Sequence, residues 1–206
     1  MAIVSEIRES RGLIEIQTDG ATFARVREAH FQKCPLNPGD EIDENYLQRV
    51  ASIQFAEGYE AALTQLDYCA RTRTELSDAL RRKGYVEPAV DAILARLSEN
   101  GLIDDARYAR RMAELQSKKP VGVYAFRRKL RAKGISEEDA EAALEAFDDA
   151  QQQDAALAEA QRLYRKYEAL PARQARAKLS QALARKGFPW DAISMALDQL
   201  TDDPEE

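Results

Sequence analysis

The sequence predicts a mainly α protein: tandem three-helix repeats in an elongated array, with a small N-terminal β segment and a long connecting helix. Three observations predict it. A short phrase recurs, as LRRKGY at 80–85, LRAKGI at 130–135 and LARKGF at 183–188, its glycines 50 and 53 residues apart. Apolar residues around each copy fall at helical spacing. The first 40 residues instead carry short apolar clusters separated by glycines, a strand-and-turn pattern. Repeats of this period stack into arrays that meet extended partners along a face.

The β segment is expected over 1–42. Ile3, Val4 and Ile7, then Leu13, Ile14 and Ile16, then Phe23 and Val26 are its apolar clusters, with Gly12 and the pair Asp19, Gly20 between them. Pro35, Pro38 and Gly39 close it. Asp43 is placed to cap a connecting helix over 43–70 that carries Leu47, Val50, Ile53, Tyr59, Leu63 and Leu66.

Three repeats follow, expected at 71–118, 119–168 and 169–206. In each, the phrase ends one helix and leads into another. Leu76 and Leu80, Phe126 and Leu130, and Leu179 and Leu183 are i, i+4 pairs on one face. The bases before each glycine complement the helix dipole. The glycine takes the left-handed C′ conformation at little steric cost. Second helices start at Pro88, at the cap Ser136 with its acidic turn Glu137, Glu138 and Asp139, and at Pro189. Their apolar residues align: Val90, Ile93, Leu94 and Leu97 with Ala140, Ala143, Leu144 and Phe147, and with Ile193, Ala196, Leu197 and Leu200. Asn100, Gly101 and Leu102 stop the first of these, and Asp104 and Asp105 start a third helix bearing Tyr108, Ala109 and Met112. Its counterpart is expected over about 154–167. The third repeat is expected to stop after two helices and an acidic tail.

Composition narrows the function classes. The chain has 206 residues, 30 basic and 36 acidic, for a net charge of −6. No apolar run approaches the roughly 20 residues that span a bilayer. The opening MAIVSEIRES has no basic stretch followed by an apolar core, and two cysteines make no disulfide framework. A cytoplasmic protein with reduced thiols is expected. The single histidine, His30, forms H-x3-C with Cys34, and Cys69 could complete three metal ligands. Ligands from unrelated segments make a poor zinc pattern, and no metal is expected. There is no phosphate-cradling glycine loop and no nucleophile elbow. The paired carboxylates Asp104, Asp105 and Asp148, Asp149 have structural explanations at helix ends. The expectation is no enzyme, no cofactor and no small-molecule substrate.

Charge is patterned more strongly than its total suggests. From 104 to 134 ten bases face three acids, whereas 136–161 holds nine acids and no base. Either neighbouring helices neutralise one another, or the surface is bipolar, with one face for phosphates and another for a basic partner protein. The candidate partner- or phosphate-binding residues are Arg107, Arg110, Arg111, Arg127, Arg128, Lys129, Arg131 and Lys133. Tyr108, Tyr124, Phe126, Tyr164 and Tyr167 lie near bases and could stack on nucleobases. Packing is the expected role at these helical positions, and for Trp190 too.

These residues carry a resemblance. Arg71, Thr72, Glu75, Leu76, Leu80, Lys83, Gly84 and Tyr85, then Leu94, Leu97 and the phrase GLIDD at 101–105 ahead of Tyr108 and Ala109, follow one order. Gly122, Leu130, Lys133, Gly134 and Ile135 continue it, as do Leu183, Arg185, Lys186, Gly187, Phe188 and Ile193. In order and spacing they resemble the RecX family, bacterial modulators of the RecA recombinase, over roughly residues 60–200. Cys69, Met112 and Lys129 depart from that pattern, standing where the family often has an arginine, an aromatic residue and a glutamate. The resemblance implies tandem three-helix repeats and no catalysis. It implies RecA, and the RecA filament on single-stranded DNA, as partners. Filament growth would be blocked and ATP hydrolysis, strand exchange and coprotease activity lowered, in recombination, DNA repair and the SOS response. Direct DNA binding, weak if it occurs, stays open. The rivals are a helix-turn-helix regulator of duplex DNA and a helical scaffold for other proteins.

Overall fold

The computed structural model describes residues 2–43, 45–117 and 119–201. Three strands come first, β1 (Ala2–Ser10), β2 (Leu13–Thr18) and β3 (Ala21–Arg27). They are joined by two-residue turns in which Arg11 and Gly12, and Asp19 and Gly20, all have positive φ. That backbone matches the twist of the flanking strands. A one-turn helix, α1 (Glu28–Phe31), and a short strand, β4 (Glu41–Ile42), follow. The antiparallel sheet has the order β3-β2-β1-β4. The expected strand clusters are therefore present, and α1 is an addition that the turn-rich composition of 28–40 did not signal.

The remaining helices are α2 (Tyr46–Tyr68), α3 (Arg73–Arg82), α4 (Glu87–Glu99), α5 (Asp105–Gln116), α6 (Val123–Ala132), α7 (Glu137–Leu144), α8 (Asp149–Tyr164), α9 (Ala172–Arg185) and α10 (Trp190–Thr201). The connecting helix thus begins at Tyr46. Asp43 does not cap it directly; its carboxylate accepts from the Asn45 N–H at 2.8 Å and pairs with Arg49. The chain divides into two compact units, Met1–Asp104 and Asp105–Glu206.

In the first unit α2 serves two cores. Its front half, through Tyr46, Val50 and Ala51, packs on Val4, Ile14, Ile16 and Val26 of the sheet. Its back half, through Ala62 and the partly buried Phe55, Tyr59, Leu63 and Leu66, packs on Leu76, Leu80, Ile93 and Leu97 of α3 and α4. Gly58 allows the close crossing, because a Cβ there would stand 2.5 Å from Ile93 Cδ1. In the second unit Ala109 and Ala113 of α5 pack on Phe126, Leu130, Ala140 and Leu144 of α6 and α7. A second core joins Ala156, Ala160 and Leu163 of α8 to Leu179, Leu183, Ile193 and Leu197 of α9 and α10.

The three-helix bundles are therefore α2–α4, α5–α7 and α8–α10. They run one helix out of step with the boundaries 71–118, 119–168 and 169–206. The glycine phrase marks the junction of the second and third helices of a bundle, and the helix that closes each core precedes the phrase. The third bundle accordingly has three helices, and α8, expected over 154–167, starts earlier because the Asp148 carboxylate caps it by accepting from the Gln151 N–H.

The three phrases adopt one geometry. Gly84, Gly134 and Gly187 have φ of 82, 75 and 84°. Each is followed by an N–H that reaches back to the phrase leucine, Tyr85 to Leu80 at 3.3 Å, Ile135 to Leu130 at 3.2 Å and Phe188 to Leu183 at 3.3 Å. Each glycine N–H bonds the carbonyl three residues earlier, which completes a Schellman motif. Leu80, Leu130 and Leu183 are fully buried, so each turn pins its own core.

Candidate functional site

Arginine and glutamate side chains brace two of the three turns. Arg81 and Glu87, three residues either side of Gly84, form a two-point pair, with Nε to Oε2 at 2.8 Å. Arg131 and Glu137 repeat it around Gly134, with Nε to Oε2 again at 2.8 Å. The pairing raises the Arg81 pKa and lowers that of Glu87, chiefly through their hydrogen bonds. At the third turn the same positions are Ala184 and Trp190, and no brace can form.

The eight basic candidates differ in their partners and exposure. Arg127 is half-buried and pairs with Glu141 and, at 3.9 Å, with Glu137. With Arg131 it neutralises the start of α7, as the cancelling reading expects. Lys133 lies 5.3 Å from the Tyr108 ring centroid. Arg128 and Lys129 are exposed and make no ion pair among the described residues; the Arg128 guanidinium donates to the Arg185 carbonyl at 3.4 Å. Arg107, Arg110 and Arg111 are exposed on α5. The helices that follow each turn would read bases in a duplex-binding regulator, yet α4 carries only Arg96, and α7 and α10 carry no lysine or arginine.

The start of α6 is seated against the α9–α10 turn. Gly122 N–H donates to the Lys186 carbonyl at 3.2 Å, and Tyr124 N–H to the Gly187 carbonyl at 3.0 Å. A Cβ on Gly122 would stand 2.0 Å from the Gly187 carbonyl carbon, so only glycine allows this approach. Buried Gln152 of α8 accepts from the Val123 N–H at 2.9 Å. Buried Glu159 takes Arg162 and Lys186, at 2.6 and 3.0 Å. Those bonds, led by Arg162, hold its pKa below the usual carboxylate range despite burial. The seam thus locks the second and third bundles together with backbone bonds and the buried Gln152 amide.

Three expectations about aromatic residues fail here. Phe126 is packed as expected, but Tyr124 is 49% exposed, Tyr164 40% and Trp190 70%. Helical periodicity places Phe126 and Leu130 inside, which leaves Tyr124 outside. Trp190 occupies the position that holds Glu87 and Glu137 in the other copies, an outward one. Sequence reasoning also passed over Gln54 and Gln152, and placed Arg185 in the family pattern without a functional role. Trp190 could have been found by extending the repeat alignment three residues past each glycine.

The candidate metal ligands do not converge. His30 is buried, with Nε2 2.8 Å from Glu57 Oε2 and Nδ1 3.4 Å from Gln54 Nε2. Burial, then Arg27 and Lys33, push its pKa down. Cys69 is exposed, and among the described residues no three His, Cys, Asp or Glu side chains gather to hold an ion. No described helix is long and apolar enough to cross a membrane.

Comparison with known proteins follows the bundles. Residues 59–97, 104–144 and 149–197 match the family models for the first, second and third three-helix domains of RecX. Regulatory protein RecX of Limosilactobacillus reuteri (strain DSM 20016) is 33% identical over 212 residues, an alignment that takes in 100% of this chain and 79% of the relative. The chain belongs to the RecX family. Two solved structures share its fold. A crystal structure of regulatory protein RecX superposes with a TM-score of 0.68 at 31% identity, covering 96% of this chain and 100% of that one. RecX from Lactobacillus salivarius gives 0.67 at 30% identity, covering 73% and 98%. The domain matches agree with the core clusters: the first RecX domain includes the back half of α2, and the second begins at α5.

Proposed function

We propose that this RecX-family chain is a cytoplasmic, non-catalytic regulator that binds RecA and its filament on single-stranded DNA. In this reading it lowers the filament's ATP hydrolysis, strand exchange and coprotease activity, and so tempers recombination, repair and the SOS response. The observation that carries the reading is the run of three RecX domains, in order, over the helical part of the chain. The polar surface supports it. Arg128 and Lys129 are exposed and make no ion pair among the described residues, and repeated bundles suit a repeating polymer.

The test is to add the protein to RecA assembled on single-stranded DNA and follow ATP hydrolysis. Inhibition at substoichiometric amounts is expected for a protein that acts on a filament. Unchanged hydrolysis at excess protein overturns the reading and leaves a scaffold for other proteins.

A further inference from the structure

The seam between the second and third bundles exposes aromatic rings beside uncancelled positive charge. Trp190, the only tryptophan in the chain, is 70% exposed and Tyr124 49%. A large indole so exposed calls for an account, because Trp is normally well covered. In the first two bundles the equivalent outward position carries a glutamate tied to an arginine across the turn, Glu87 to Arg81 and Glu137 to Arg131. In the third both members are replaced, by Trp190 and Ala184. The small Ala184 gives the indole nothing long to lie against.

Two arginines belong to the same turn region, Arg185 two residues before Gly187 and Arg128 bonded to the Arg185 carbonyl. Arg128 and Arg185 are exposed and make no ion pair among the described residues. They are neighbours, since Arg128 donates to the Arg185 carbonyl at 3.4 Å. Tyr124 sits one helical turn before Arg128, and its N–H is bonded to the Gly187 carbonyl at 3.0 Å. Trp190 follows that glycine by three residues. The turn at Gly187 therefore gathers two exposed aromatics and two exposed arginines, held by the Gly122–Gly187 contact that fixes α6 on α9 and α10.

We propose that this seam is a binding site for single-stranded nucleic acid, with Trp190 and Tyr124 stacking on unpaired bases and Arg128 and Arg185 engaging the adjacent phosphates. Aromatic faces accept any base, and arginine adds stacking to phosphate pairing. A duplex keeps its bases stacked on one another and has no free face to offer. Protein interfaces also favour Trp, Tyr and Arg, and the arms of the test separate that occupant from the strand. Two exposed arginines tied to the same turn as the two rings supply phosphate partners, which favours the strand. The site adds a direct strand contact to the regulatory reading and does not depend on the recombinase.

The single tryptophan makes the site its own reporter. The full chain, with no recombinase present, is titrated with a dT oligonucleotide at low salt while tryptophan emission is followed. Saturable quenching that weakens as salt rises is expected. Binding of a labelled oligonucleotide, read by anisotropy, should weaken about fivefold or more in Trp190→Ala. In the double variant Arg128→Ala, Arg185→Ala the slope of log K against log salt should fall by about 1.4, the loss of two single-strand phosphate contacts. Circular dichroism identical to the parent checks that the variants fold. The site is overturned if the oligonucleotide binds without altering the emission, does not bind, or binds Trp190→Ala as tightly as the parent. Equal quenching by poly-glutamate or by a duplex of the same length also overturns it, by showing a surface for acidic protein or for anions at large. The recombinase assay is untouched by any of these outcomes, so the two readings fail separately.

Discussion

Gln54 lies thirty residues before Gly84, yet its side chain carries the first glycine turn. Its Nε2 donates to the Gly84 carbonyl at 2.9 Å, and its Oε1 accepts from the Val86 N–H at 2.8 Å. Gln54 is fully buried. One amide thus satisfies an acceptor and a donor left over where α3 ends and α4 begins, and ties both to the middle of α2.

Gln54→Leu keeps the volume and removes both of these bonds, together with the 3.4 Å bond to His30 Nδ1. The Gly84 carbonyl and the Val86 N–H would then be buried without partners, at about 1–3 kcal/mol each. The expected loss is about 2–5 kcal/mol, read as a lower urea midpoint for the first unit with an unchanged slope. A midpoint within about 0.5 kcal/mol of the parent would mean that water replaces the amide.

Glycine substitutions separate backbone strain from collision. Gly101 has φ of 67° and open space where a Cβ would go, whereas at Gly187 (φ 84°) a Cβ would stand 2.2 Å from the Ala125 nitrogen. Gly101→Ala should cost about 1–2 kcal/mol, the strain of a left-handed residue with a side chain. Gly187→Ala adds a backbone collision across the bundle seam and should cost about 2–5 kcal/mol in all. Thermal unfolding checks this; equal drops in Tm for both variants would show that the seam yields freely.

Much of this arrangement could be read from the residues, because repetition supplies what a single copy cannot. Leu80, Leu130 and Leu183 at one place in three copies identified a core position and a turn, and all three are buried around matching Schellman bonds. The frame of the bundles was not legible. A helix joined to its neighbour by a short loop can pack forwards or backwards, and only Ala109 and Ala113 meeting Phe126 and Leu130 decides it for α5. Charge runs were misleading in part for the same reason. Arg127 and Arg128 are adjacent in sequence, but a 100° step around α6 sends one to Glu141 and leaves the other in solvent. Gln54 and Gln152 were invisible, since a buried amide has no periodic signature.

His30 makes the first unit sensitive to pH. Its ring accepts at Nδ1 from Gln54 and donates from Nε2 to Glu57, an arrangement of the neutral imidazole. Its folded pKa is lowered, so between that value and the ordinary 6.5 the unfolded chain binds more protons. Stability is full above about 6.5 and is lost as pH falls below it. Carboxylates titrate lower, and this is the only histidine, so the window from about 7.5 to 5.5 isolates it. Urea midpoints should fall across that window for the parent and stay flat for His30→Gln. A parallel decline in both would assign the pH response elsewhere.

Charge reversal on α6 should divide by partner. Arg127 and Arg131 face Glu137 and Glu141, so Arg127→Glu with Arg131→Glu sets like charges together across the turn and removes three ion pairs. That variant should lose stability by about 1–2 kcal/mol, because exposed pairs contribute less than about 1 kcal/mol each. Arg128→Glu with Lys129→Glu breaks no ion pair among the described residues, only the long Arg128 bond to the Arg185 carbonyl, and should leave Tm within about 2 °C, a shift of less than 0.5 kcal/mol. In the RecA assay the order reverses. The Arg128, Lys129 variant should inhibit filament ATP hydrolysis at least tenfold less well and with weaker salt dependence, since its charges are the ones free to meet a partner. The Arg127, Arg131 variant, assayed well below its Tm, should stay within about threefold of the parent, because its arginines already have partners within the chain and exposed pairs of this kind change little. If both variants inhibit as the parent does, the basic face of α6 serves the fold alone, and the partner surface lies on other helices.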